Sequence, residues 1–271
     1  MGLSAKQRDR LREKYGAWAL VTGASSGIGL ALATELARAG FNLLLNARNL
    51  DKWKDAEPEM AHRWGIEIRM IEADLSEMAG LEKLITAAKH LEIGLVINNA
   101  GFGTSGQFLK NAVETEMDML RLNCAAVLYL THYFCQKFLE QKRGGFIFLS
   151  SLVAFQGVPF AANYAATKAY VQSFAEALSV ELKAFNIDVL YATPGPVDSG
   201  FGERAGMRMN RASRPSQISV PILAALGKGP MVVPGVYAKI LLYSLRILPR
   251  FVRTKILRGI MEGFTRHQLT D

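Results

Sequence analysis

Short runs of Val, Ile, Leu and Phe recur along this chain with room for one helix between each pair, and that alternation restricts the fold more than any single motif. Parallel strands need such crossovers, and strands buried on both faces read as continuous apolar runs. The strand segments are AWALVT from Ala17, FNLLLN from Phe41, IEIRMI from Ile66, LVIN from Leu95, FIFLS from Phe146 and DVLYA from Asp188. Helices are predicted over 27–39, 50–64, 77–91, 112–141 and 163–185, the first and third closed by Gly40 and Gly94. The expectation is an α/β fold, a doubly wound parallel sheet of about seven strands with helices on both faces. After Gly195 the texture changes to a Gly-, Arg- and Ser-rich stretch that reads as a long loop within a substrate-loop region, 200–226. A short helix from Gln217 to Leu226, a seventh strand MVV and a tail at 236–271 follow. No repeat or low-complexity linker interrupts the 271 residues, so a single domain spanning 1–271 is expected.

Net charge is +8, and its placement says more than its size. Residues 1–16 contribute +3 and residues 236–271 contribute +5, leaving the body neutral between two basic ends. Dispersed terminal charge without an aromatic-rich recognition motif gives no basic face, so no nucleic-acid partner is expected. Cys124 and Cys135 stand eleven residues apart in what reads as one helix. They would lie about 16 Å apart along its axis, too far to bridge. The first sixteen residues lack the apolar core of a secretory signal, and Lys6 breaks the myristoylation pattern. The expectation is a reducing, cytoplasmic setting. The four histidines, His62, His90, His132 and His267, show no ligand spacing, so no metal is expected.

Thr22-Gly23-Ala24-Ser25-Ser26-Gly27-Ile28-Gly29 follows the first strand and opens the first helix. Glycines there permit a tight turn and a close backbone approach to a pyrophosphate, whose charge the helix N-terminus favours. Taken alone, the turn reads either as the cofactor end of a Rossmann-type fold or as mere punctuation. In an NAD-binding fold the second strand should end in an acid that holds the ribose hydroxyls. Here it ends Asn46-Ala47-Arg48, with Ala47 where the acid would stand and a guanidinium suited to a phosphate next to it. NADP(H) is therefore preferred, unless Arg48 merely begins an exposed loop.

Tyr164 and Lys168 lie four apart in a helical segment and share a face. Ser151 ends the fifth strand thirteen residues earlier, at the carboxyl edge where open sheets place ligands. An adjacent ammonium and an oxidised nicotinamide would both favour the phenolate, which makes Tyr164 the general acid/base. Asn123, in the preceding long helix, is a fourth polar group that alone could be a capped or solvent-facing amide.

Together Thr22 to Gly29, Asn98-Asn99-Ala100-Gly101, Asn123, Ser151, Tyr164-x-x-x-Lys168 and Pro194-Gly195-Pro196-Val197-Asp198-Ser199 resemble the short-chain dehydrogenase/reductase family, in its order and spacing over about residues 17–200. The resemblance implies that Asn98 to Gly101 steady the sheet beside the cofactor, that Asp74 and Leu75 contact the adenine, and that Pro194 to Ser199 line the nicotinamide. Ser199 departs from the family's usual Thr but keeps a hydroxyl. It further implies that Ser151 polarises a carbonyl oxygen, Tyr164 protonates it, Lys168 binds the nicotinamide ribose and lowers the tyrosine pKa, and Asn123 holds a water. The implied activity is hydride transfer between NADP(H) and a ketone, aldehyde, steroid or 3-oxoacyl thioester. A catalytically silent NADP(H)-binding regulator is the alternative.

Phe102, Phe155, Val158, Phe160, Phe201, Met207 and Met209 would suit a lipophilic substrate, or simply core. Arg204, Arg208, Arg211 and Arg214 could meet an acidic headgroup or be a solvated face. The tail resembles the C-terminal extension of a bacterial short-chain reductase subgroup, and Pro249 should break it into two helices. It could cover the cleft, form a subunit contact in a dimer or tetramer, or make a peripheral membrane contact, the first being preferred.

Overall fold

The computed structural model describes residues 2–209 and 212–268. Seven strands form one parallel sheet: β1 (Trp18–Thr22), β2 (Asn42–Ala47), β3 (Ile68–Glu72), β4 (Ile93–Asn98), β5 (Gly144–Leu149), β6 (Ile187–Ala192) and β7 (Met231–Val232). Their spatial order is β3-β2-β1-β4-β5-β6-β7. In register, Val21 of β1 faces Leu45 of β2 and Ile97 of β4. The order reverses between β1 and β4, so successive crossovers depart in opposite directions and open a crevice at the carboxyl ends.

β1, β4 and β5 are buried at every residue, which is why they read as unbroken apolar runs. Alternate residues feed two cores. On one face Val21, Leu45, Ile97 and Ile147 pack with α2 (Gly27–Arg38), α3 (Asp51–Trp64) and α9 (Pro215–Ala225). On the other Leu20, Leu44, Val96, Phe146 and Phe148 pack with α4 (Met78–Ala88), α6 (Ala126–Gln141) and α7 (Ala162–Glu181).

Two local expectations change, at Gly94 and over 112–141, and two segments gain structure. The charged N-terminal arm is a helix, α1 (Ala5–Tyr15), started by a reciprocal Ser4–Gln7 capping box, with Leu11 and Tyr15 wholly buried. Gly94 does not stop a helix. It lies inside β4, where a Cβ would stand 1.8 Å from the Tyr15 carbonyl oxygen, so it is there to admit the end of α1. The helix expected over 112–141 is interrupted: α5 (Val113–Leu120) passes through a π turn at Arg121–Ala125 before α6. Such wide turns sacrifice regular hydrogen bonding and recur at functional sites. The loop after Gly195 carries one helical turn, α8 (Phe201–Arg204), and is tied by a bridge between Val197 and Ser213. Arg211 lies outside the described residues.

The tail forms α10 (Val236–Arg246) and α11 (Arg250–Thr265), parted at Pro249, whose missing N–H is harmless at a helix start. Their inner sides fold back over the carboxyl edge of the sheet. Leu245, Leu257 and Met261 share a buried cluster with Met119, Val158, Ala161 and Tyr164.

Candidate active site

The glycine turn is built by close approach. A Cβ on Gly29 would fall 2.2 Å from the Gly23 carbonyl oxygen, and one on Gly27 would fall 2.5 Å from the Ser199 Cβ. Only glycine lets α2 start this close to β1 and the loop after β6. At the end of β1 the Thr22 hydroxyl accepts from the amides of Asn99 and Ala100 at 3.1 and 3.0 Å. Asn99 returns its side-chain Nδ2 to the carbonyls of Thr22 and Gly23. These bonds lock the ends of β1 and β4 together at the crevice. Trp53 of α3 braces the turn from behind, donating its indole N–H to the Ala24 carbonyl at 2.9 Å. Nothing in the spacing of α3 pointed to that role.

A single cleft of about 800 Å³ runs from this turn to the tail. At the turn its walls include Gly23, Ser25, Ser26, Gly27, Ile28, Ala47, Arg48, Asp74 and Leu75. Arg48 follows β2 with its side chain 72% exposed and Nη1 3.9 Å from an Asp74 carboxylate oxygen, a pairing too exposed to hold it. No carboxylate occupies the Ala47 position, so an added phosphate at this end would meet an exposed guanidinium held only by that weak pairing. Asn99, Ala100, Gly101, Pro194, Gly195, Val197 and Ser199 line the middle of the same cleft. A cradle that a Cβ would fill and a cation next to the position where an NAD site keeps an acid fit a phosphorylated dinucleotide.

At the other end stand Ser151, Tyr164 and Lys168. β5 delivers Ser151 and α7 delivers the other two, and two bonds join these elements. The Lys168 ammonium donates to the Leu149 carbonyl at 2.8 Å, and the Ser150 hydroxyl donates to the Lys168 carbonyl at 3.0 Å. Ser151 Oγ accepts from the Val153 amide and is hydrogen-bonded to the Tyr164 phenol, so the two hydroxyls stand together. Lys168 Nζ lies 5.9 Å from the centre of the Tyr164 ring.

Burial governs both titrating groups. It pushes the Tyr164 phenol up to about 12, against a smaller lowering by the Ser151 hydrogen bond, and it pushes the Lys168 ammonium down to about 8. Lys168 is not among the causes that act on the phenol in the protein alone. With the protein's groups alone, desolvation of an 8% exposed phenol outweighs a cation 5.9 Å from its ring centre. Tyr164 is thereby held neutral at pH 7, as a proton donor must be.

Thr22, Gly29 and Asn123 sit behind the cleft wall rather than on it. Asn123 is presented by the π turn and is 1% exposed. It accepts from the Phe102 amide and donates to the Phe102 carbonyl and the Thr167 hydroxyl. Thr167 in turn donates to the Tyr164 carbonyl, so Asn123 ties the chain after Gly101 to the catalytic turn of α7. Glu116 does the same from α5: this buried carboxylate accepts from Thr104, Asn111 and Asn163, the residue before Tyr164. Glu116 is one of three acids in α5, with Glu114 and Asp118, and nothing in the sequence singles it out for such a role.

The substrate end is apolar. Phe102, Phe155, Val158, Phe201, Met207 and Met209 line it, whereas Phe160 packs to one side. Of the arginines read in the mobile-looking loop, Arg204 lines the cleft, while Arg214 caps α9 and the Arg208 amide bonds the Phe264 carbonyl. The tail completes the roof with Leu241, Leu242, Leu245, Leu257, Ile260, Met261 and Phe264. Among the described residues no three His, Cys, Asp or Glu side chains gather as a metal site would require.

The short chain dehydrogenase family pattern matches residues 17–209. A 7beta-hydroxysteroid dehydrogenase from Clostridium sardiniense is 36% identical over 184 residues, which is 68% of this chain and 70% of that one. A very-long-chain 3-oxoacyl-CoA reductase-like protein from Arabidopsis thaliana is 38% identical over 190 residues, 67% of this chain and 60% of that one. Among solved structures, a 7beta-hydroxysteroid dehydrogenase superposes with TM-score 0.83 at 25% identity, over 91% of this chain and 98% of that one. A short-chain dehydrogenase from Sphingobium yanoikuyae in complex with NADPH gives 0.78 at 25% identity, over 89% and 94%. With its glycine turn, its Ser-Tyr-Lys group and these likenesses over most of its length, the chain belongs to the short-chain dehydrogenase/reductase family.

Proposed function

We propose that the protein transfers hydride between NADP(H) and the carbonyl or carbinol carbon of a lipophilic substrate, with Tyr164 as general acid/base. The observation that carries this is the buried Tyr164 phenol, beside Ser151 and Lys168, on the floor of an apolar cleft whose other end is a dinucleotide cradle. The cofactor supplies the hydride. The remaining work falls to side chains of the chain itself. Ser151 turns its O–H from the phenol to the substrate oxygen, Tyr164 gives up its proton, and the Lys168 cation, fixed by the Leu149 carbonyl, steadies the phenolate left behind. Arg48 grips the 2′-phosphate, and Asn123 and Glu116 act as positioning residues. Relatives named for steroids and 3-oxoacyl-CoA support a bulky, lipophilic carbonyl substrate.

The test follows NADPH oxidation on a panel of ketones, aldehydes, oxosteroids and 3-oxoacyl thioesters. At least one lipophilic ketone should be reduced faster with NADPH than with NADH. Tight NADPH binding with no turnover anywhere would leave the silent regulator instead.

Two surfaces bear on partners. Val113, Met117 and Leu120 on α5 and Leu128, Tyr129 and Leu139 on α6 are exposed large apolar groups at helical spacing, which supports a homo-oligomer formed through this side. Light scattering behind a sizing column checks it, and a monomer at high protein concentration would sink it. The outer sides of α10 and α11 support a peripheral lipid contact: Val236, Ile240, Tyr243, Ile247 and Phe251 are 75, 63, 55, 84 and 67% exposed. Lys239, Arg246, Arg250 and Lys255 accompany them, so an anionic bilayer suits this face better than a second copy of an equally basic chain. No described helix is long and apolar enough to cross a membrane. Two free cysteines, with the Cys135 thiol pushed up to about 11 by burial, support the cytoplasmic setting.

A further inference from the structure

The inward stripe of α11 consists of Arg253, Leu257, Ile260, Met261 and Phe264, all lining the cleft. Four are apolar, as a roof over a lipophilic substrate requires. Arg253 is the exception, and its guanidinium makes no hydrogen bond or ion pair with any described residue, while its Nε is shut off from water. An arginine cannot shed its charge, and burying one of its five N–H donors without an acceptor is unfavourable. The location makes this worse. Arg253 stands in the first turn of α11, where the unpaired backbone N–H groups already give the helix a positive end. Glu176 and Arg246 also line the wall, and neither Arg246 nor Arg253 forms an ion pair with Glu176. Gln172, on the same wall, keeps a buried and equally unpartnered Oε1.

Resting on the carbonyl-reductase reading above, we propose that Arg253 binds an oxyanion carried by the substrate at the far end of its apolar body from the reacting carbonyl. The spacing fits. Leu257 belongs to the cluster around Tyr164, and Arg253 lies one further turn along α11, about 6 Å. Leu241, Leu245 and Leu257 line the cleft beside that cation and pack in the cluster that holds the proton donor. The class of substrate is an amphiphile: an apolar ketone ending in a carboxylate, whose planar pair of oxygens matches the guanidinium fork, or one carrying a phosphate through a thioester carrier.

The experiment compares a lipophilic ketone ending in a carboxylate with its methyl ester and with a 3-oxoacyl-CoA of similar chain length, on the full chain with NADPH. Wild-type protein should prefer the acid over the ester in kcat/KM by about tenfold or more, the scale of a charge-assisted pair. Arg253→Leu, which matches the neighbouring apolar stripe, should bring that ratio toward one, and Arg253→Lys should restore part of it. If the CoA substrate alone loses preference in Arg253→Leu, the anion is the carrier phosphate. Equal losses on acid and ester would mean that Arg253 merely packs, and the proposal fails. Calorimetric binding of the same acid and ester to wild type and Arg253→Leu reads the contact without turnover. A chain that discriminates in binding yet reduces nothing would defeat the reductase reading while leaving this contact standing.

Discussion

The two ends of the cleft are held by different forces. At the turn, backbone lies on backbone: Gly29 has no room for a methyl against the Gly23 carbonyl, and Thr22 and Asn99 exchange four hydrogen bonds with each other's strand ends. At the substrate end, helices α8, α10 and α11 meet α5, α7 and the segment after β5 mostly through Leu, Met and Phe side chains. Hydrogen bonds and close glycine contacts demand one residue type at one position. Apolar packing accepts many solutions of similar volume. The first end is therefore rigid and specific for its cofactor, while the second can be reshaped for a new substrate without touching the chemistry.

The sharpest division of labour lies between them, at Tyr164. Tyr164→Phe keeps the ring against Phe201, 5.2 Å between centres, and removes only the proton. Turnover should fall at least about a hundredfold, the usual scale for a lost general acid, with NADPH affinity nearly unchanged. Near-normal turnover in steady-state assays would mean that another group supplies the proton.

The same contrast decides what was legible. The meeting of the glycine turn, Arg48 and the Ser-Tyr-Lys group along one cleft was legible because the chemistry proposed for them requires those residue types at those spacings. The parallel sheet could be read because doubly buried strands leave apolar runs. Gly94 was misread, since its reason is the Tyr15 carbonyl brought in by a helix eighty residues upstream in a charged segment. The π turn was invisible because its cause is tertiary: Asn123 must reach both Phe102 and Thr167. The inner stripe of α11 was present in the spelling, at helical spacing, but only the fold says which side faces Tyr164.

A test of the cofactor end is Arg48→Ala. If this side chain, 72% exposed, holds the 2′-phosphate, NADPH should weaken by roughly 1.5 to 3 kcal/mol, about 10- to 150-fold, while NADH changes little. Fluorescence titration of both cofactors reads it. Equal losses would show that the guanidinium steadies the turn instead of the phosphate.

The pH profile probes the junction. Lys168 carries its proton below about pH 8 and loses it above, whereas Tyr164 stays protonated up to about 12. Rising pH therefore removes the cation that supports the phenolate before it removes the proton to be donated. Reduction should be flat below pH 8 and decline above it, by up to about tenfold per unit for loss of a single proton. Single-turnover rates between pH 6 and 10 measure it, and a rate that holds constant to pH 10 would mean that the ammonium stays charged in the working complex.

The smallest expected effect lies on the outside of the tail, whose inner side serves the cleft. Ile247 and Phe251, 84 and 67% exposed, flank the break at Pro249 and would enter a bilayer first. Neighbouring cations add about 1 kcal/mol each near an anionic surface, and salt screens that share. Full-length protein should therefore co-sediment with phosphatidylglycerol vesicles at low salt, bind phosphatidylcholine poorly, and detach as ionic strength rises. Ile247→Glu removes partial burial of one side chain, about 1 kcal/mol, and adds a like charge to the membrane, so partitioning should drop roughly fivefold or more. Because Ile247 faces away from Tyr164, the loss should appear in sedimentation and leave thermal stability nearly as it was. Binding that ignores both the substitution and the lipid charge would remove the lipid from this face and make a protein partner the occupant to seek.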